Sequence, residues 1–224
     1  MHPCSNMMTR VWRKLGFGLV AFLLSYPVFG FFARAQAFDS YVFALSWSPG
    51  FCAVEGQDKG REQCAPGSGV RFVVHGLWPQ QEGGSAIDCP AGQRPIPRQT
   101  LDAGRDLFQS EGLARYQWRK HGGCTGLAPS AWLDDVRRAR EAVVVPAVFA
   151  QLQSELRVDP EDVLRQFREA NPRLRPGMAA IVCPRNIFQE IRICMSRDLR
   201  DFVPCPQVVQ QSCRARAISV RAPS

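Results

Sequence analysis

Two histidines stand in local sequences that suit chemistry. His75 opens the run His75-Gly76-Leu77-Trp78-Pro79, and His121 closes Tyr116-Gln117-Trp118-Arg119-Lys120-His121, just before Gly122, Gly123 and Cys124. Imidazole gives or takes a proton near neutral pH, so a pair of them can act as acid and base in one reaction. Lys120 adds a fixed positive charge beside His121. Two imidazoles and a lysine match the needs of phosphodiester cleavage by an internal nucleophile. That reaction wants a base on one side of phosphorus, an acid on the other, and a cation where charge builds on the non-bridging oxygens. RNA carries such a nucleophile in its 2′-hydroxyl, which DNA lacks. The reaction needs no metal and no other cofactor.

The second segment reads as the end of a helix. At about 100° per residue, Gln117, Lys120, His121 and Cys124 share one side, with Tyr116 at its border. Arg115 and Arg119 face the other way, as a solvated surface, and Trp118 turns toward the core. Plainer readings compete with these. A single histidine at a strand end is commonly structural, Lys120 alone would be a surface lysine, and Trp78 suits a core as well as it suits a substrate contact. His121-x-x-Cys124 could offer two zinc ligands, but the chain has no Cys-x-x-Cys pair. Cys124 could serve as a nucleophile only as a free thiol.

These residues need a scaffold. Residues 41–47 are apolar and aromatic, end at Ser48-Pro49-Gly50, and predict a strand. Residues 70–74 predict a second strand that runs into Gly76 and Pro79. Residues 80–97, rich in Gly, Pro and Gln, predict an irregular loop. Helices are predicted over 98–109 and 111–121, the latter stopped by Gly122 and Gly123, and from Ala131, capped by Ser130 and broken near Pro146. Asp159-Pro160-Glu161-Asp162 combines a capping acid, proline at the first position and acids in the first turn. It predicts a helix that ends before Asn171-Pro172. Residues 179–183 and 188–194 predict two more strands joined by Pro184-Arg185-Asn186, and the tail from Arg214 shows no periodicity. Without regular βαβ alternation, the pattern predicts an α+β fold, a central antiparallel sheet flanked by helices.

The chain has 224 residues, 46% hydrophobic and 21% charged, which excludes a disordered or fibrous protein and favours one folded domain. Arg10, Arg13 and Lys14 precede an apolar run over 15–32, and Ala33-Arg34-Ala35-Gln36-Ala37 supplies small residues for cleavage after Ala37 or Ala35. The run is long enough for a membrane anchor, but Ser25, Tyr26 and Pro27 interrupt it. Residues 1–37 are therefore expected to be a signal peptide, leaving a secreted or periplasmic domain over 38–224 with no stable membrane attachment. That domain holds 24 basic and 20 acidic residues, a net charge of +4. On charge alone this is a weak argument for a nucleic-acid partner. It keeps eight of the nine cysteines and, as histidines, only His75 and His121. An even number of cysteines in an exported chain predicts disulfides, whose pairing the residues leave open.

His75–Pro79 and Trp118–Cys124 resemble the two active-site segments of the ribonuclease T2 family, secreted acid-type endoribonucleases. Trp47-Ser48-Pro49-Gly50-Phe51-Cys52 resembles that family's N-terminal strand, and Asp201-Phe202-Val203-Pro204-Cys205-Pro206 its late cysteine region, so the likeness spans about residues 38–206. The resemblance implies that His121 is the base for the 2′-hydroxyl, His75 the acid for the departing 5′-oxygen, and Lys120 the stabiliser of the phosphorane. It implies substrate contacts from Trp78, as a stacking support or site wall, and from Tyr116. It further implies the disulfides Cys52–Cys64, Cys89–Cys124, Cys183–Cys213 and Cys194–Cys205. Family members commonly carry His-Glu where this chain has Tyr116-Gln117; Gln117 can hydrogen-bond a phosphate oxygen but holds no titrating proton. The expected protein is a monomeric, metal-independent endoribonuclease with single-stranded RNA as substrate, cleaving through a 2′,3′-cyclic phosphate. The alternative is a catalytically weak relative that binds RNA or another partner.

Overall fold

A computed structural model describes residues 37–56, 62–81 and 83–223. Apart from Ala37, the expected signal peptide lies outside the described residues. No helix among them is long and apolar enough to cross a membrane.

The main sheet has four antiparallel strands in the order β2 (Phe72–Gln80), β1 (Ser40–Trp47), β5 (Glu190–Ser196), β4 (Ala179–Val182). β1 lies inside the sheet and is buried along nearly its whole length, which is why it reads as one apolar run rather than as an alternation. Phe43, Leu45 and Trp47 face the main core, while Val42 and Ala44 face a smaller cluster with Trp78, Ala180 and Cys194. Trp47, Phe72, Phe149, Phe167 and Phe188 meet edge-on or tilted in the main core. Truncating fully buried Phe167 to Ala would cost about 3–5 kcal/mol.

β2 runs further than the sequence predicts, through Gly76, Trp78 and Pro79 to Gln80. Proline is tolerated because β2 is an edge strand. Ala44 pairs with Gly76 and Leu45 with Val74, so His75 has no partner in β1 and forms a bulge.

Among the described residues seven α-helices occur: α1 (Ser48–Phe51), α2 (Arg98–Ala103), α3 (Glu111–Gln117), α4 (Pro129–Glu141), α5 (Ala147–Ala150), α6 (Pro160–Ala170) and α7 (Pro206–Val209). Ser110 Oγ caps α3 by accepting from the Leu113 N–H at 3.2 Å. The helix expected over 98–109 stops at Ala103, where the chain passes into turns. α4 starts at Pro129 rather than Ala131, with no side-chain cap. α6 begins as the sequence predicts, the Asp159 carboxylate accepting from the Glu161 N–H at 2.8 Å. The tail read as aperiodic holds a further strand, β6 (Ile218–Val220), paired with β3 (Leu156–Val158). Strands of three residues are too short to show a period. The disulfides join Cys52 to Cys64, Cys89 to Cys124, Cys183 to Cys213 and Cys194 to Cys205, the pairs that the resemblance implies.

Candidate active site

The two histidines approach one tryptophan from different elements. His75 projects from the bulge in β2, its ring centroid 5.2 Å from that of Trp78 and nearly perpendicular to it. His121 comes from a single π turn, Trp118–Gly122, that follows α3 without a break, and its ring lies 5.7 Å from Trp78. The wider turn, closed by the Gly123 N–H on the Trp118 carbonyl at 2.7 Å, replaces the regular helix expected to residue 121. Trp118 is buried in the core as expected, its indole N–H on the Arg94 carbonyl at 2.5 Å.

Each imidazole has a different partner at Nδ1. In His75, Nδ1 is 2.5 Å from Glu190 Oε2, a carboxylate only 4% exposed. Burial alone would raise the Glu190 carboxyl. The hydrogen bond and charge of His75, then those of Arg192, outweigh it and hold the group below the usual carboxylate range, so Glu190 is ionised. In His121, Nδ1 is 2.9 Å from the Ile87 carbonyl. A carbonyl only accepts, so Nδ1 carries the hydrogen and Nε2 is the basic nitrogen. Burial pushes His121 below its ordinary value of 6.5; the Ile87 bond and Asp88 oppose this, while Lys120 and His75 add to it.

The other sequence-derived residues divide between the wall and the mouth of the site. Trp78 is buried, and its Nε1 donates to Gln117 Oε1 at 2.8 Å. This bond lies directly over Gly76, where a Cβ would sit 2.3 Å from both atoms, so only glycine fits. Gln117 is itself buried, its carbonyl engaged by the indole rather than turned outward with Lys120. Lys120 is part-exposed, with Nζ 3.4 Å from Asp88 Oδ2 and 5.8 Å from the centre of the Tyr116 ring. Tyr116 and Asp88 push Lys120 further up, so it is a cation. Cys124, half of the conceivable zinc pair, is bonded to Cys89, which also removes its thiol as a nucleophile.

A loop holds the turn in place. Ile87 donates to the Pro79 carbonyl at 2.8 Å and accepts from His121, Cys89 donates to the Lys120 carbonyl at 2.7 Å, and the Cys89–Cys124 disulfide closes the frame. Beside His75 opens a cleft of about 1180 Å³, lined among others by Tyr116, Leu113, Phe108, Glu190 and Arg192. A smaller cavity of about 330 Å³ beside α6 holds none of these residues.

Glu190, Arg192 and Asp88 join the site without a sequence motif that marks them. The first two were within reach: in a strand, residues two apart share a face, and an acid and a base at alternate positions of Glu190-Ile191-Arg192-Ile193 mark a face that is not core.

An antiparallel sheet with flanking helices and four disulfides carries two imidazoles on one indole, His75 lining an open cleft, and comparison with known proteins makes the chain an RNA endonuclease. The chain belongs to the ribonuclease T2 family, whose sequence pattern matches residues 38–205. A ribonuclease of Aeromonas hydrophila is 32% identical over 182 residues, covering 80% of this chain and 81% of that one. Ribonuclease I of Escherichia coli K12 is 27% identical over 145 residues, 47% of this chain and 54% of that one. Among solved structures, an RNase-related protein from Calystegia sepium superposes with a TM-score of 0.66 at 16% identity, covering 84% of this chain and all of the other. A variant of RNase MC1 in complex with 5′-UMP superposes with a TM-score of 0.59 at 21% identity, over 76% of this chain and 94% of that one.

Proposed function

We propose that this protein cleaves single-stranded RNA by metal-independent transesterification, with His121 as base and His75 as acid. The observation that carries the reading is the contrast at Nδ1. His121 gives its hydrogen to a backbone carbonyl and keeps a basic Nε2, suited to take the proton of the 2′-hydroxyl. The 2′-oxygen attacks phosphorus, the bond from phosphorus to the 5′-oxygen breaks, and His75 protonates that oxygen. His75 is steadied by an ionised, buried carboxylate, a partner suited to an imidazole that carries and delivers a proton. The product left on the upstream fragment is a 2′,3′-cyclic phosphate. Lys120 stabilises the charge on the phosphorane. Gln117 holds Trp78 as the site wall and keeps its amide N–H₂ as a neutral donor to phosphate, and Tyr116 contacts substrate at the cleft. The working protein is residues 38–224, monomeric, exported to the periplasm or the exterior, and free of the membrane.

A second reading, a weakly catalytic RNA- or partner-binding protein, draws on Tyr116 and Gln117, neither of which brings charge to the site. One experiment separates the two: RNA digestion by oxidised protein in the presence of a chelator, with identification of the new 3′ ends. The proposal expects cyclic phosphate ends, no chelator effect and intact DNA. Chelator-sensitive cutting, or DNA cut at a similar rate, would overturn the mechanism, and binding without cutting would favour the second reading.

A further inference from the structure

Arg192 is a charged residue of this site to which the mechanism above gives no role on the substrate. It lies two residues beyond Glu190 on β5 and so on the same face. Its Nε donates to Glu190 Oε1 at 2.8 Å, while the other oxygen of that carboxylate holds His75. Its guanidinium carbon lies 5.2 Å from the centre of the Trp78 ring. Among the described residues its two terminal nitrogens have no hydrogen-bond partner, and the side chain is 28% exposed where it lines the cleft beside His75. A guanidinium fixed at Nε and braced on an aromatic ring presents its remaining N–H groups in one plane, the geometry that matches phosphate oxygens.

The charges around the site point the same way. Glu190 carries one negative charge but bonds two basic groups, Arg192 and His75, so it does not by itself neutralise both once His75 carries its proton. On the helix side Lys120 shares Asp88, His121 must be neutral to act as base, and Tyr116 and Gln117 add no charge. Lys120 alone is thus a partly neutralised answer to the charge that builds on the phosphorane.

We propose that Arg192 is a substrate-binding residue whose guanidinium holds a non-bridging oxygen of the scissile phosphate from the sheet, as the partner of Lys120 on the turn. The inference rests on the ribonuclease reading above. It is tested with a dinucleoside monophosphate, whose only phosphate is the scissile one, alongside a longer oligonucleotide. Parent, Arg192→Gln and Arg192→Lys are compared for kcat and KM, and each is titrated with inorganic phosphate. Arg192→Gln is expected to lower kcat on the dinucleoside monophosphate about 100-fold. Arg192→Lys is expected to recover about tenfold of that loss, because it restores charge without the fork. Phosphate binding should weaken about tenfold in the Gln variant. A loss confined to the longer substrate would overturn the assignment to the scissile phosphate. Equal losses in both variants with unchanged phosphate binding would reduce Arg192 to a brace for Trp78 and Glu190. A parent that does not cut RNA defeats the ribonuclease reading instead, while the phosphate titration still tests Arg192.

Discussion

His75 and His121 flank one indole but stand on different ground. His75 is carried by a sheet, projects from a bulge outside the strand ladder, is 40% exposed at its side chain and leans on a buried carboxylate. His121 is carried by a wide helical turn, is buried, and leans on a backbone carbonyl delivered by a disulfide-held loop. The same side chain is given an ionised partner in one place and a dipolar one in the other. In the proposed mechanism these two environments fit two identical groups to two different jobs, one as acid and one as base.

The largest test of that contrast removes each ring in turn. His75→Ala and His121→Ala should each lower kcat about 10²–10⁴-fold while circular dichroism shows the fold intact. The bell-shaped pH profile of the parent should lose its acid limb in one variant and its alkaline limb in the other. Either variant at near-parental activity with both limbs present would end the assignment.

Lys120→Ala should lower kcat about 10²–10³-fold, with less effect on KM. Because the Lys120 charge helps keep His121 low, its removal should also move the acid limb of the residual activity upward. A limb that stays in place while activity falls would mean that Lys120 acts on substrate alone.

Glu190→Gln breaks the contrast from the other side, giving His75 a neutral partner. It should lower kcat about tenfold, a fraction of the whole acid contribution, with Glu190→Asp partly rescuing it. Gln117→Ala should matter less than Lys120→Ala, since it removes a neutral group; leaving the Trp78 indole N–H without a partner should lower stability by about 1–3 kcal/mol in thermal unfolding.

The smallest effects are in pH dependence. His121 is held below its ordinary 6.5, so at mildly acidic pH the unfolded chain takes up a proton there before the folded one does. The stability His121 contributes is complete above about 6.5 and falls as pH drops below it; Glu190, held below the usual carboxylate range, adds a loss at lower pH still. Urea unfolding from pH 7.5 down to 3.5 should show stability declining with acid. Asp88→Asn removes a charge that raises His121, so its acid limb should move slightly lower. A stability that rises between pH 7 and pH 5 would contradict the burial argument.

Much of this was legible in the residues. The β1 run, the Asp159 cap and the short order of the late strands follow from local chemistry, and the two histidine segments announce themselves by composition. What was hidden depends on contacts between distant parts. No local signal tells that Ile87 and Glu190 will choose the tautomer and partners of His121 and His75. The π turn after Gln117 is set by the packing of Trp118 and Gly122 against Trp132, where a Cβ on Gly122 would come within 2.8 Å of either ring. The helical wheel therefore placed Lys120 and Gln117 side by side, whereas the structure puts Gln117 on the indole and Lys120 beside Asp88.

The bulge at His75 has a consequence for parity. His75 and Trp78 are three apart, an odd spacing, and in an uninterrupted strand they would point to opposite faces. The extra residue resets the count: Val74 and Leu77 face the main core, while Gly76, opposite Ala44, and Trp78, opposite Val42, lie on the side of the site. Removing Gly76 would abolish the bulge and leave His75 opposite Ala44, with Val74 and Leu77 still facing the core and Trp78 still on the side of the site. The bulge thus adds one residue to the site face without turning over the strand on either side, so a one-residue deletion at Gly76 would cost the bend that re-aims His75 and not the two faces of β2.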